Sequence, residues 1–397
     1  MWNSKSWKMR EGWVLAGALA LVGVAVQLLA GPVDWDAFGW PVNVIVLMVF
    51  AALCIGIYLL RDKVYLFKFA GTLDAAVPAM ALAVAFTIIM GLVRQVPAGV
   101  PAPDSLGFRY MLTSWPFVLM YTYMAVILSQ AIIKEVTHWR WKAFPAFVFH
   151  CGLFTVLVAG TLGSADVLML DMDVNKEQPV NRAQDETGRL FEVPLAVQLL
   201  DFDIDEYDPR IMLADSLGAP LSRPVQTLTV DSGFSSGVLG GWTLSLLERI
   251  ETAVPAGDGF MHSDSVGTAC ALLLKAEKDG EEREGWVSCG SYLFGKKRLE
   301  LSGNEYVVMR PRMPRRFNAD VEIFTRDGGD YKASLAVNEP YSLDGWKIYL
   351  SDYDSGMGRW SETCVLELVR DPWMPAVYAG IFLMLLGALC LLFVKRK

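Results

Sequence analysis

The chain has 397 residues, 53% of them hydrophobic, and a formal net charge of −8. Its apolar residues are concentrated in long blocks, which excludes an ordinary soluble enzyme. The acidic balance gives no sign of nucleic-acid binding, because that function requires a basic surface. We therefore predict an integral membrane protein that lies in a lipid bilayer.

Six apolar blocks approach the roughly 20 residues that a helix needs to cross a hydrocarbon core of about 30 Å. In chain order they cover residues 13–30, 41–60, 77–93, 115–133, 143–163 and 374–394. The third block is short and opens near Pro78, a residue that is tolerated near a helix start. The first block is long and lacks a small-residue cleavage site, so we expect an uncleaved anchor.

Basic residues flank the blocks in a regular alternation. The groups are Lys5, Lys8 and Arg10; Arg61, Lys63 and Lys68; Lys134, Arg140 and Lys142; and Lys395, Arg396 and Lys397. All four groups fall on one side of the membrane, and positively charged short loops stay on the cytoplasmic side. Both termini are therefore predicted to be cytoplasmic.

The long region between the fifth and sixth blocks contains no spanning segment. The alternation places it outside, so the predicted domains are a five-helix transmembrane domain at 1–164, an extracytoplasmic β domain at 165–372 and a C-terminal transmembrane helix at 373–397. The expected fold class is α+β: six transmembrane helices plus an extracytoplasmic all-β, sandwich-like domain between helices 5 and 6.

Short alternating runs support the β prediction. Aspartates at 201, 203 and 205 alternate with Phe202 and Ile204, which is typical of a half-buried strand. The same aspartates do not form a calcium loop, because Glu206 and Met212 stand where that loop needs Gly and Glu. Further strand-like runs lie near 227–230, 242–250, 306–310, 321–325, 331–337, 346–350 and 364–369.

Three of the six cysteines, Cys270, Cys289 and Cys364, lie in the outer region, where disulfides persist. Asp279 and Gly280 are a strong two-residue hairpin signal, and such a turn sets Cys270 opposite Cys289. A disulfide between these two residues and a pair of free buried thiols are both consistent with this register.

The most informative single residue is His150, which lies inside the fifth apolar block, about 10 Å from its start. An ionisable side chain in a bilayer is costly and usually faces a protein interior, a cavity or a cofactor. The other interpretation is a neutral imidazole that shares its N–H with a neighbouring helix carbonyl.

The remaining histidines carry weaker signals. His138 lies in a short basic loop and is expected to be solvated, and His262 lies in a Gly- and Ser-rich run, 257–267, that is expected to be a mobile loop. The chain contains no nucleotide-binding loop, nucleophile elbow or metalloprotease motif, and no C-x-x-C-H for covalent haem attachment.

Two stretches resemble a known family. The first is FHCGLFTVLVAGTLGSAD at 149–166, a span with a His and spaced glycines that enters the outer domain. The second contains VNEPYSLDGWKIY at 337–349, followed by RDPW at 370–373 and the glycines of the last span. Their order and spacing are similar to those of the ResB/CcsB proteins, the smaller half of the System II machinery of cytochrome c biogenesis.

The resemblance implies a bacterial inner-membrane complex with a CcsA/ResC-type partner that exports haem and joins it to apocytochrome c. By this resemblance His150 is an axial ligand of the iron of non-covalent, transported haem b, paired with a His of the partner. Phe147, Phe149, Leu153 and Phe154 would hold the macrocycle, and Gly152 and Gly160 would permit close approach of a helix or porphyrin.

The chain also departs from the family. It lacks a tryptophan-rich haem-presenting segment, so we do not expect it to be catalytic alone, and Glu339 stands where relatives often carry His. Two other functions remain open: a non-enzymatic membrane sensor or assembly scaffold with a ligand-binding β domain, and a haem-bearing electron-transfer subunit.

Overall fold

The computed structural model describes residues 7–96 and 104–393, so Lys5, Val394 and the basic residues 395–397 lie outside the described residues. The chain divides into two compact units, one formed by Met1–Val167 and Asp371–Lys397 and the other by Leu168–Arg370. The helices of the first unit are α1 (Met9–Ala30), α2 (Val42–Leu59), α3 (Tyr65–Ala70), α4 (Leu73–Leu92), α5 (Trp115–Thr137), α6 (Phe144–Leu162) and α7 (Met374–Phe393).

Six of the described helices are long and apolar enough to cross a membrane, as predicted: all except the short α3. The third span differs from the prediction, because α4 begins at Leu73 and places Pro78 inside the helix. Proline has no N–H, so the Asp74 carbonyl loses its partner in the helix. Gly12 of α1 packs there, and a Cβ atom on Gly12 would lie 2.1 Å from that carbonyl oxygen.

Helices α6 and α7 pack closely through glycines. A Cβ atom on Gly152 would lie 2.4 Å from the backbone nitrogen of Met384, and one on Gly387 would lie 2.5 Å from that of Phe149. Small residues let two helix backbones approach in this way. Gly152 therefore serves a helix contact, whereas a Cβ atom on Gly160 would meet nothing within 4 Å.

A carboxylate at the end of α6 ties three segments together. Asp166 accepts hydrogen bonds from the Trp40 backbone N–H (2.7 Å), Asn43 Nδ2 (2.7 Å) and Trp373 Nε1 (2.6 Å). Burial by itself would raise the pKa of Asp166, but these donors outweigh it and lower that pKa below its usual value. The ionised carboxylate thus fastens the starts of α2 and α7 to the end of α6.

The second unit is built from strands, which confirms the all-β prediction. They are β1 (Leu168–Asn175), β2 (Val180–Gln184), β3 (Leu190–Glu206), β4 (Arg210–Ala214), β5 (Leu228–Thr229), β6 (Ser236–Leu239), β7 (Trp242–Ala256), β8 (Gly259–His262), β9 (Ala269–Lys278), β10 (Glu281–Ser288), β11 (Leu299–Glu300), β12 (Tyr306–Met309), β13 (Pro314–Thr325), β14 (Asp330–Ala336), β15 (Tyr341–Leu343), β16 (Trp346–Tyr353) and β17 (Thr363–Arg370).

Three antiparallel sheets enclose two cores. The largest sheet has the order β14-β13-β3-β2-β1-β17-β16-β15, and it curves so that Leu335 of β14 and Ile348 of β16 share one core. The sheets β10-β9-β7-β6 and β11-β12-β4-β5 pack against each other around the second core, which includes Trp242, Leu274 and Val307. In β3, Phe202 and Ile204 are buried, as the alternation predicted.

The structure corrects the prediction for the segment 257–267 and confirms the hairpin predicted at Asp279 and Gly280. The expected mobile loop at 257–267 is wrong in its first half, because β8 pairs with β7 and His262 Nδ1 hydrogen-bonds to Thr252 Oγ1 at 2.9 Å. The hairpin around Asp279 and Gly280 is confirmed, since Lys278 faces Glu281 and Ser288 faces Ala271. The next pair in this register is Cys270 and Cys289, and both are free thiols in the structure.

Candidate functional site

His150 lies on the wall of a cavity of about 920 Å³ inside the helical unit. Helices α4, α5 and α6 form the walls, and residues of the segment between α5 and α6 also line the cavity. The volume is at the upper end of the range of about 300–1,000 Å³ that is typical of small-molecule sites. The side chain of His150 is 30% exposed, so the imidazole is accessible from the cavity.

The polar partner of His150 is Glu135 in the last turns of α5. His150 Nδ1 lies 3.0 Å from Oε1 and 3.1 Å from Oε2 of Glu135, whose side chain is 17% exposed. A carboxylate oxygen accepts hydrogen bonds, so Nδ1 is the donor of this pair. In the neutral imidazole Nε2 then keeps its lone pair, and this is the tautomer that binds metals.

This pairing differs from the simple packing interpretation, in which the imidazole bonds to a helix carbonyl. A carboxylate within a span is itself costly to bury, and a metal-ligating histidine commonly donates its other ring N–H to such a group. The Glu135–His150 pair therefore has the arrangement of a metal-ligating histidine with its orienting carboxylate.

The cavity is amphipathic. Its walls are largely apolar and include Met80, Met124, Ile127, Phe149, Leu153 and Leu157. At the end of α5, Lys134, His138 and Arg140 also face the cavity. A large apolar molecule that carries acidic groups at one edge fits this distribution of side chains.

Only some of the side chains that were predicted to hold the macrocycle line the cavity. Phe149 and Leu153 line it, whereas Phe154 stacks on Phe50 of α2 and Phe147 packs edge-on against Trp139. His138, which was expected to be merely solvated, also contributes to the cavity. Sequence reasoning missed Glu135, although a carboxylate two residues from the end of an apolar helix was a usable signal.

The β unit, residues 168–370, offers no cluster of metal-ligating side chains. Within residues 7–96 and 104–393, no group of three or more His, Cys, Asp and Glu side chains is placed to hold a metal ion. Glu339, which stands where relatives often carry His, makes an ion pair with Arg316 at 3.4 Å on the surface.

Comparison with known families supports the resemblance noted from the sequence. Residues 299–363, from β11 to the first residue of β17, match the model of the ResB-like family. No curated protein matches the chain. This match confirms the ResB/CcsB-like resemblance and supports a general role in cytochrome c biogenesis. The matched segment lies in the β unit and does not include the cavity.

Proposed function

We propose that this chain is the membrane subunit of a System II cytochrome c biogenesis complex that binds haem b within the bilayer. The observation that carries the proposal is the Glu135–His150 pair on the wall of an apolar cavity. Together with the ResB-like match, it supports haem rather than another apolar ligand.

In this proposal His150 Nε2 is an axial ligand of the haem iron. A neutral imidazole is a common iron ligand, and the hydrogen bond from Nδ1 to Glu135 fixes both the tautomer and the orientation of the ring. The apolar walls exclude water from the macrocycle. In this proposal haem is transported and not retained, so it is held without a covalent bond and released to the next component.

The chain acts together with a partner. Haem iron takes two axial ligands, and we propose that a CcsA/ResC-type membrane protein supplies the second His and the tryptophan-rich segment that this chain lacks. The acceptor is an apocytochrome c whose thiols form the thioether bonds. The β unit is proposed to lie on the outer face of the bacterial inner membrane, where it chaperones haem or apocytochrome.

The first test is the absorbance of the purified protein, produced with its partner and an adequate haem supply. The wild type should carry a Soret band, His150→Ala should lose most of it, and added imidazole should restore part of it by occupying the vacated ligand position. His262→Ala is the matched control, because His262 belongs to the β unit. A colourless wild type in the presence of the partner would refute haem binding and favour a scaffold.

A second test separates haem delivery from electron transfer. Cells that contain this chain, its partner and an apocytochrome c should accumulate covalently attached haem, detectable on a denaturing gel. His150→Ala should reduce this signal. If haem binds but apocytochrome maturation does not depend on this chain, the electron-transfer function is the correct one.

A further inference from the structure

We propose that Lys134 and Arg140 bind the two propionate carboxylates of the haem that His150 holds, so that the acidic edge of the ligand faces the α5–α6 segment. This inference rests on the proposed function and adds the orientation of the ligand and the residues that determine it. It predicts that recognition depends on the free acids and not on the iron alone.

The positions of Lys134 and Arg140 support this inference. Lys134 lies in the last turn of α5, Arg140 follows that helix, and both line the same cavity as His150. His150 is six residues beyond Phe144, the first residue of α6, which corresponds to about 9 Å along the helix. The imidazole nevertheless reaches Glu135, the residue next to Lys134, so the basic side chains and the imidazole lie toward the same, α5–α6, end of the cavity.

The charges on the cavity wall also support the inference. Glu135 is the single carboxylate on the cavity wall among the described residues, and His150 already engages it. Within residues 7–96 and 104–393, neither Lys134 nor Arg140 forms an ion pair. Two cations without an internal counterion complement a ligand with two carboxylates.

An alternative role for these two cations is to orient the helices in the membrane. Basic residues beside a span also orient it in the membrane, and Lys142 in the same segment is suited to that role. Lys142 does not line the cavity, whereas Lys134 and Arg140 do. Lys142 is therefore the matched control, since it has the same charge and lies only two residues after Arg140.

The test compares haem with its dimethyl ester, in which both carboxylates are blocked. Binding is titrated by Soret absorbance with the full-length protein and its partner together in zwitterionic phosphatidylcholine vesicles. The wild type should bind haem more tightly than the ester, by roughly tenfold for each lost contact. A double variant, Lys134→Gln with Arg140→Gln, should bind both ligands equally. Its Soret position should be that of the wild type, because the ligand His150 is intact.

Two further variants sharpen the comparison. Lys142→Gln should discriminate between haem and its ester as the wild type does, and Lys134→Arg should retain most of the discrimination. If the double variant still distinguishes the two ligands as strongly as the wild type, the inference is wrong. If the wild type binds neither ligand, the proposed function itself has failed, and the two failures are thereby distinguished.

An anionic lipid headgroup is the other source of a negative charge at this position. The same titration in vesicles that contain phosphatidylglycerol distinguishes it from a propionate. If that lipid competes with haem in the wild type but not in the double variant, and haem and its ester bind alike without it, the basic pair serves the lipid and the inference is overturned. Haem selectivity over the ester in both vesicle types supports it.

Discussion

At the scale of single residues, the interaction between Glu135 and His150 leads to a prediction that differs from that for the histidine alone. Glu135→Gln removes the negative charge but keeps the size of the side chain. Haem should still bind, about 10- to 100-fold more weakly, as is typical when the partner of a metal-ligating histidine is removed. The bound haem should also have a higher reduction potential, because an imidazole without its carboxylate partner donates less electron density and stabilises ferric iron less.

Reductive titration of the purified complex measures this shift. Glu362→Gln is the control, since Glu362 is exposed in the β unit. Unchanged affinity together with an unchanged potential would show that Glu135 does not tune the ligand.

Glu206 lies at the end of β3, and its buried carboxyl should make the stability of the β unit depend on pH. Burial raises the pKa of Glu206 above its usual value, and this effect outweighs the attraction of Arg312, whose Nε lies 3.4 Å from the carboxylate. Below about pH 4.5 the carboxyl is protonated in both the folded and the unfolded states. As the pH rises through the higher folded pKa, the folded state must hold a buried charge and loses stability.

Glu206→Gln imitates the protonated form, so it removes this penalty. Relative to the variant, the wild type should lose stability as the pH rises above about 4.5, as measured by thermal unfolding of the strands with circular dichroism. The exposed Glu362→Gln variant should show no such trend. A difference between wild type and Glu206→Gln that is constant over this range would contradict the raised pKa.

At the scale of elements, the glycines of α6 provide a matched pair of variants. Gly152→Ala places a methyl group against the backbone of α7 and should lower the thermal stability of the helical unit, by about 1–3 kcal/mol, as is usual for overpacking. Gly160→Ala meets nothing and should be neutral or slightly stabilising, because alanine is the better helix former. Equal effects of the two substitutions in a detergent-based aggregation assay would show that the contact between α6 and α7 is looser than described.

The sequence predicted elements well where the determining signal is local. Blocks of apolar residues identify the spans, and the alternation around Phe202 and the turn at Asp279 and Gly280 identify a strand and a hairpin with its register. These features depend on neighbours within a few residues, so periodicity and turn chemistry are sufficient to find them.

Features that depend on distant segments were not predictable in this way. In the largest sheet β13 pairs with β3, more than a hundred residues earlier in the chain, and no local pattern encodes that partner. The cavity likewise exists only because α4, α5 and α6 meet, and the contact between Glu135 and His150 joins two different spans. The sequence identified the histidine, whereas its partner and its cavity required the tertiary structure.

At the scale of the whole molecule, the membrane orientation is a prediction from the basic residues alone. A protease site inserted in the β13–β14 turn, at Asp327 and Gly328, should be cleaved when protease is added to intact spheroplasts. The same site inserted at Asp62, between α2 and α3, should be cleaved only after lysis. The reverse pattern would place the β unit in the cytoplasm and remove the basis for apocytochrome contact.

Orientation also determines the state of the two facing cysteines. Burial raises the pKa of Cys270 to about 12 and also raises that of Cys289, so neither thiol is a reactive nucleophile in the folded chain. If the β unit folds in an oxidising compartment, we predict a structural disulfide between them. It would close a loop of about 20 residues and stabilise the unit by roughly 3 kcal/mol.

The disulfide is detected by denaturing the protein without reductant, labelling free thiols with a bulky maleimide and comparing gel mobility before and after reduction. Wild type and Cys364→Ser should each gain two labels on reduction, because Cys364 is not part of the pair. Cys270→Ser should gain none and should unfold at a lower temperature. A wild type that is fully labelled without reduction would show that this unit matures in a reducing environment or that the two sulfurs do not meet.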